Sequence, residues 1–128
     1  MYHAILVVDD DLQVRRLCRT TLEEAGYFVT EAANGKHALA AIRETSFDLV
    51  VLDLAMPGMD GFEFLKAVHA ELPTLKIVVI SGYLGGTMLT AAKLFGAAAT
   101  LAKPFSPDLL LSVVRELLPE GGPAGASD

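Results

Sequence analysis

The stretch Asp48–Gly61, with the sequence DLVVLDLAMPGMDG, decides how the chain folds. A continuous apolar run ends in this stretch at the carboxylate of Asp53, and a loop rich in proline and glycine follows at once. Short apolar runs of this kind are typical of strands that are buried on both faces of a parallel sheet. An acid at the end of such a strand lies where α/β proteins bind their ligands. Asp53 is therefore a candidate functional residue.

Outward from this stretch, strand-like and helix-like segments alternate along the whole chain. The strands predicted from short apolar or β-rich runs are Ala4–Val8, Tyr27–Glu31, Leu49–Asp53, Lys76–Ile80 and Ala98–Ala102. The helices predicted from apolar spacing and from helix start and stop signals are Leu12–Ala25, Lys36–Glu44, Phe62–Glu71, Gly86–Phe95 and Pro107–Leu118. This strict alternation predicts an α/β protein, in which one five-stranded parallel sheet is flanked by five helices with right-handed crossovers.

The composition indicates one globular domain in a reducing compartment. The chain has 128 residues, of which 52% are apolar and 20% charged, and this length suits a single core. The formal net charge of −6 argues against direct binding of nucleic acid through a broad basic surface. Cys18 is the only cysteine, and the sequence has neither a membrane-spanning apolar run nor a basic signal-peptide start. We expect a soluble cytoplasmic protein without membrane contact.

Polar residues follow four of the predicted strands. They are Asp9 and Asp10 after the first strand, Asp53 at the end of the third, Ser81 after the fourth and Lys103 after the fifth. Because parallel strands end at the same edge of a sheet, we expect these residues to gather in one pocket. The second strand contributes no reactive group, which fits a strand at the outer edge of the sheet.

The residue types in this pocket indicate phosphoryl chemistry. Neighbouring carboxylates repel one another, and Mg²⁺ prefers such oxygen ligands. A lysine and a hydroxyl suit a phosphoryl group, and a carboxylate can act as nucleophile to form an aspartyl phosphate, with Asp53 as acceptor. Taken singly, each residue also has an ordinary explanation: an acidic helix start for Asp9–Asp11, a turn for Ser81 and a solvated side chain for Lys103.

The order of the motifs resembles the receiver domain of bacterial two-component response regulators. The matching segments are Val8-Asp9-Asp10, Leu52-Asp53-x-x-Met56-Pro57-x-x-Asp60-Gly61, Ser81-Gly82 and Lys103-Pro104-Phe105. The resemblance covers residues 3–118 and implies a flavodoxin-like doubly wound sheet with the strand order 2-1-3-4-5. Residues 119–128 are rich in glycine, proline and alanine, and we interpret them as a flexible tail or the start of a linker.

The resemblance also implies a role for each residue of the pocket. Asp53 would accept a phosphoryl group from a phosphohistidine on a histidine kinase or a phosphotransfer protein. Asp10, Asp53 and the backbone carbonyl of Ala55 would bind Mg²⁺ directly, and Asp9 would act mainly through water. Lys103 would pair with the phosphoryl oxygens.

The same resemblance implies a switch residue, and the sequence differs from the family pattern at three positions. Ser81 would move to bond the phosphate, and the Lys103–Pro104 peptide is usually cis in the family. Thr100 stands where an aromatic residue is common, so we expect its coupling of the phosphate to the outer face to be weak or to take another form. Ala55 has no polar side chain and Tyr83 is bulky at positions that tune hydrolysis, so we expect both to set the phosphate lifetime.

The predicted function is a phosphoacceptor receiver that switches protein contacts and catalyses only its own phosphorylation and dephosphorylation. Its partners would be the phosphohistidine donor and either a downstream protein target or an output domain that this sequence lacks. A homodimer through the face of the fourth helix, fifth strand and fifth helix is a further prediction. Two alternatives stay open: a Mg²⁺-dependent phosphatase or phosphotransferase that uses an aspartyl phosphate, and a receiver-like binding module that is never phosphorylated.

Overall fold

The computed structural model describes residues 2–82 and 85–119, without the side chains of residues 85 and 86. Within these residues the chain forms five strands and five helices in strict alternation. The strands are β1 (Ala4–Val8), β2 (Phe28–Ala32), β3 (Leu49–Asp53), β4 (Lys76–Ser81) and β5 (Ala99–Ala102). The helices are α1 (Leu12–Glu24), α2 (Gly35–Glu44), α3 (Gly61–Glu71), α4 (Gly85–Leu94) and α5 (Pro107–Leu117). The predicted order of elements is confirmed, and their boundaries differ from the prediction by one residue or less.

All strands are parallel and lie in the order β2-β1-β3-β4-β5, which confirms the doubly wound sheet. β1 is buried after its first residue and β3 is buried throughout, as expected when helices cover both faces of a parallel sheet. The register aligns the carboxyl ends of the strands, since Val8 pairs with both Ala32 and Leu52, and Ser81 pairs with Ala102. Residues that follow these strands therefore meet at one edge of the sheet.

Alternate residues of the strands divide the core into two apolar layers. Leu6 and Val8 belong to the layer that includes Leu65 of α3. Ile5 and Val7 belong to the opposite layer, which includes buried residues of α1 and α5. Truncating a fully buried leucine such as Leu6 to alanine would cost about 2–5 kcal/mol. The two packed layers hold the strand ends, and with them the predicted pocket, in fixed positions.

Side-chain caps determine where several helices begin. The capping residues of α1, α2, α3 and α5 are Asp11, Asn34, Asp60 and Ser106. Asp11 accepts a hydrogen bond from the amide of Gln13 at 2.8 Å, which fits an acidic helix start at Asp9–Asp11. Ser106 caps α5, and Pro107 takes the first helical position, where the predicted helix begins. Such caps typically stabilise a helix by about 1 kcal/mol.

The buried face of α1 is narrower than the apolar spacing predicted. Leu12 and Leu17 fit the apolar spacing that predicts this helix, but they are 48% and 39% exposed. The buried stripe consists of Cys18, Thr21 and Leu22. A stripe of residues three and four apart is enough to cover the sheet, so an apolar residue outside that stripe stays accessible.

Some predictions fall outside the described residues. Tyr83 and residues 120–128 are among them, so the role of Tyr83 and the interpretation of the tail stay predictions. The proposed limits of the domain are likewise untested. Among the helices that the structure describes, none combines the length and the apolar character needed to cross a membrane.

Candidate functional site

Asp53 and Lys103 form an ion pair at the carboxyl edge of the sheet. Asp53 is the last residue of β3 and is 3% exposed, and Lys103 directly follows β5. The ammonium group of Lys103 donates a hydrogen bond to Asp53 Oδ2 at 3.0 Å. The other oxygen, Asp53 Oδ1, accepts a hydrogen bond from the amide of Ala55, also at 3.0 Å. The carboxylate of Asp53 is thus held through both of its oxygens.

Asp9 and Asp10 complete an acidic cluster with Asp53. Asp9 directly follows β1 and is fully buried, whereas Asp10 is exposed. Asp9 Oδ1 accepts a hydrogen bond from the amide of Asp11 at 2.9 Å, and Asp9 Oδ2 lies 2.9 Å from Lys103 Nζ. Carboxylate oxygens of the three clustered acids lie within 4.8 Å of one another. The fold therefore brings together the acids and the lysine that the sequence scatters along the chain.

Burial and neighbouring groups shift the pKa values of Asp9 and Lys103 in this cluster. Burial raises the pKa of Asp9, and the charge of Asp53 raises it further, whereas the Asp11 amide and Lys103 lower it; the net shift is upward. Burial alone would lower the pKa of Lys103, but the two carboxylates outweigh burial and raise it. Lys103 therefore stays charged at neutral pH and serves as a fixed cation for both acids.

The cluster offers the ligands that Mg²⁺ prefers. Its carboxylates are hard oxygen donors, and a single ammonium group does not balance their charge. Apart from its ion pair with Lys103, Asp9 Oδ2 is buried without a partner among the described residues. A buried carboxylate oxygen in that state favours a cation or a water molecule. The residues present therefore fit a divalent cation.

Ser81 lies at the end of the strand between β3 and β5. It is the last residue of β4 and is fully buried. Its carbonyl accepts a hydrogen bond from the amide of Lys103 at 3.0 Å. A Cβ atom at Gly82 would lie only 3.2 Å from Lys103 Cβ, so glycine permits this close approach. The Lys103–Pro104 peptide is cis, as the resemblance implied.

Thr100 occupies the position of the predicted switch residue in β5. It is half-buried and pairs with Val79, while Ser81 pairs with Ala102 at the strand end. Its side chain offers a hydroxyl group in place of an aromatic ring. The coupling of Thr100 to phosphorylation stays a prediction.

The sequence pattern missed an ionic group beside the acidic cluster. Arg15 of α1 donates from Nη1 to the backbone carbonyl of Asp9 at 2.7 Å and from Nε to Glu31 Oε1 at 2.9 Å. Glu31 lies in β2, so this strand supports the loop beside the cluster through Arg15, while the acidic cluster itself takes no residue from it. Arg15 and Glu31 are 16 positions apart, and no local spacing marks the pair. The usable signal was a charged residue within a strand that is apolar elsewhere except at Thr30.

Known proteins are similar to this chain in both sequence and fold. The family model of the response regulator receiver domain matches residues 5–115. Sporulation initiation phosphotransferase F of Bacillus subtilis (strain 168) is 35% identical over 119 residues, which make up 93% of this chain and 96% of that protein. The transcriptional regulatory protein ResD of the same strain is 38% identical over 116 residues, but these are 89% of this chain and only 47% of ResD.

Solved structures agree with the sequence relatives. The chemotaxis protein CheY4 of Vibrio cholerae superimposes with a TM-score of 0.85 at 35% identity, covering 92% of this chain and 100% of that one. NtrX from Brucella abortus gives a TM-score of 0.87 at 34% identity, and the match covers 92% of this chain and 27% of NtrX. The chain therefore belongs to the family of response regulator receiver domains. It spans nearly all of some relatives and only part of others.

Proposed function

We propose that the chain is a cytoplasmic phosphoacceptor receiver in which Asp53 takes a phosphoryl group from a phosphohistidine on a histidine kinase or a phosphotransfer protein. The proposal rests on the surroundings of Asp53. Its carboxylate accepts a hydrogen bond from Lys103 and lies in one cluster with Asp9 and Asp10. A purely structural strand end needs none of these neighbours. The name of the Bacillus subtilis relative, a phosphotransferase, supports phosphoryl transfer on this fold.

In the proposed reaction, a carboxylate oxygen of Asp53 attacks the phosphorus atom of the phosphohistidine. A phosphorus–oxygen bond forms, the phosphorus–nitrogen bond breaks, and the imidazole leaves with the electron pair and takes up a proton. Lys103 would then pair with the phosphoryl oxygens, since its Nζ already lies 3.0 Å from Asp53 Oδ2. The hydroxyl of Ser81, at the end of β4, would donate a hydrogen bond to a second phosphoryl oxygen.

The acidic cluster would hold Mg²⁺ during this reaction. Asp10, Asp53 and the carbonyl of Ala55 would bind the ion directly, and Asp9 would act through water. A bound Mg²⁺ would offset the charge of the phosphoryl oxygens and of the acids around them. The Ala55 amide already contacts Asp53 Oδ1, which supports a loop conformation in which both residues serve one ion.

An apolar groove of about 350 Å³ borders the pocket and suits the phosphohistidine donor. It is lined by Val14 and Leu17 of α1 and by Lys103, Pro104 and Phe105. Leu17 is 39% exposed, and an exposed apolar side chain beside a reactive site favours contact with a partner. A donor helix with apolar residues next to its phosphohistidine would cover this groove while its imidazole approaches Asp53.

The output of the receiver would be a change in protein contacts. We propose no turnover of an external substrate, because Ala55 provides no acid–base group two residues after the acceptor. A downstream target, a separate output domain or a second copy would bind the face of α4, β5 and α5, where Leu94 and Leu109 are 82% and 47% exposed. Sedimentation with and without beryllofluoride tests for the dimer, and a monomer under both conditions would exclude it.

Phosphoramidate tests the phosphoacceptor directly, because its phosphorus–nitrogen bond resembles that of phosphohistidine. We expect phosphorylation of the wild-type protein in Mg²⁺, none in EDTA, and none of the Asp53→Asn variant. Asp60→Asn is the matched control, since it removes another acid of the same loop while asparagine still caps α3. Phosphorylation of Asp53→Asn at the wild-type rate would overturn the proposal.

A further inference from the structure

The backbone of Asp9 is tied to the edge strand β2 from two directions. Its amide donates a hydrogen bond to the carbonyl of Ala32, the last residue of β2, at 3.2 Å. Its carbonyl accepts a hydrogen bond from Arg15 Nη1 at 2.7 Å, and Nε of the same guanidinium donates to Glu31 Oε1 at 2.9 Å. The side chains of Arg15 and Glu31 are only 14% and 16% exposed. This half-buried pair therefore holds the start of the β1–α1 loop.

The bond to the Asp9 carbonyl has a consequence for Asp10. That carbonyl belongs to the planar peptide group that joins the two aspartates, so a donor on its oxygen sets the plane and the direction in which Asp10 leaves the backbone. The Asp10 side chain is exposed, and within residues 2–82 and 85–119 no hydrogen bond or ion pair holds it. Its place in the acidic cluster thus depends on the backbone beneath it.

We infer that Arg15, braced by Glu31, is a positioning residue that keeps Asp9 and Asp10 in place to bind a divalent cation. The inference rests on the proposed function, because it concerns the same acidic cluster. Arg15 does not belong to the cluster and acts only through the peptide of Asp9. A planar guanidinium suits this task, because it donates to two acceptors in fixed directions, which a lysine ammonium cannot do equally well.

The chain supplies a matched control one helical turn away. Arg19 donates from Nη1 to the other oxygen of the same carboxylate, Glu31 Oε2, at 3.0 Å. It also pairs with Glu23 in α1, and the structure gives it no bond to Asp9. Loss of Arg19 therefore removes an ionic bond from Glu31 but leaves the carbonyl of Asp9 bonded to Arg15.

Calorimetric titration of the unphosphorylated protein with Mg²⁺ provides the test. We expect Arg15→Met to weaken Mg²⁺ affinity roughly tenfold, the range seen when groups that orient metal ligands are lost. Arg15→Lys is expected to lose affinity as well, and it serves as the readable variant if Arg15→Met does not fold. Arg19→Met should stay within about twofold of wild type, because the bond from Arg15 to the Asp9 carbonyl remains and a partly exposed ion pair contributes little.

A second readout separates positioning from a general structural role. In acetyl phosphate, the Mg²⁺ concentration for half-maximal phosphorylation should rise in Arg15→Met, while the rate at saturating Mg²⁺ stays near that of wild type. Equal Mg²⁺ affinities for folded Arg15 variants and Arg19→Met would overturn the inference and leave the proposed function intact. Wild-type protein that binds no Mg²⁺ would contradict the proposed function, and the inference with it.

Discussion

Lys103 Nζ lies 3.0 Å from Asp53 Oδ2, although the two residues are 50 positions apart in the chain. The same ammonium group lies 2.9 Å from Asp9 Oδ2. One cation therefore stands between two carboxylates that are almost completely buried. This arrangement links stability to function, because the acids that need a cation for stability are those proposed to bind Mg²⁺.

Removing the charge of Lys103 should destabilise the fold in a way that Mg²⁺ reverses. In EDTA, we expect Lys103→Met to lower the free energy of unfolding by roughly 2 kcal/mol, because it leaves buried carboxylates without a counter-charge. Added Mg²⁺ should recover most of this loss. Lys66→Met is the control: its ion pair with Glu63 is exposed, and its loss should cost below about 1 kcal/mol with or without Mg²⁺. Urea unfolding of wild type and both variants, in EDTA and in Mg²⁺, measures these losses of free energy. A Lys103→Met loss that is the same in EDTA and in Mg²⁺ would contradict the account.

Gly61 should not tolerate even a methyl group. A Cβ atom there would lie 2.5 Å from the carbonyl oxygen and 2.7 Å from the Cα atom of Leu54, the residue after Asp53. Both atoms belong to the backbone, so we expect Gly61→Ala to cost roughly 1–3 kcal/mol and to slow phosphorylation by moving the loop.

Gly35→Ala is the matched control for Gly61. The nearest atom to its added Cβ would be Met59 Sδ at 2.6 Å, which is the flexible end of a side chain. Gly35 is also the first residue of α2, and alanine has a higher helix propensity than glycine. We therefore expect little change in thermal unfolding or in phosphorylation. A Gly61→Ala protein as stable and as active as Gly35→Ala would contradict the predicted clash.

Glu31 should make stability depend on pH in the acid range. Burial raises its pKa, but the bonds from Arg19 and Arg15 outweigh burial, so the pKa lies below its ordinary value of 4.5. Stabilisation by Glu31 is therefore fully present above that value and is lost as the pH falls through the lower pKa of the folded protein. The difference in free energy of unfolding between wild type and Glu31→Gln should be constant from neutral pH to about pH 5.5 and should shrink below pH 4.5. A difference that stays the same throughout the acid range would contradict this assignment.

Much of the fold was predictable because local signals agree with one another. Each buried strand is a short apolar run, and strict alternation with helices leaves a parallel sheet as the solution. The strand order came from the resemblance, and the structure confirms it. The width of a buried face was not predictable: Leu17 fits the helical spacing of α1 yet is 39% exposed, because spacing does not tell how much of a helix its neighbours cover.

The residues of the candidate site also include some that the sequence predicts and one, Arg15, that it does not. Asp9, Asp10, Asp53 and Lys103 each end or follow a strand, so topology alone predicted that they would meet. The sequence did not predict the role of Arg15, because its two hydrogen-bond acceptors lie on different elements. The apolar spacing of a helix indicates only that Arg15 is a polar residue. Its role becomes visible only when α1 is packed against β2 and the bond to the Asp9 carbonyl can be measured.

Chemical mapping of the phosphorylated residue tests the central claim most directly. The protein would be treated with acetyl phosphate in Mg²⁺ and then reduced with borohydride, which converts an aspartyl phosphate to an alcohol that peptide mass spectrometry can locate. The account predicts reduction at Asp53 alone, in Mg²⁺ but not in EDTA. Reduction at another residue, or none under conditions in which the protein is folded and binds Mg²⁺, would contradict it.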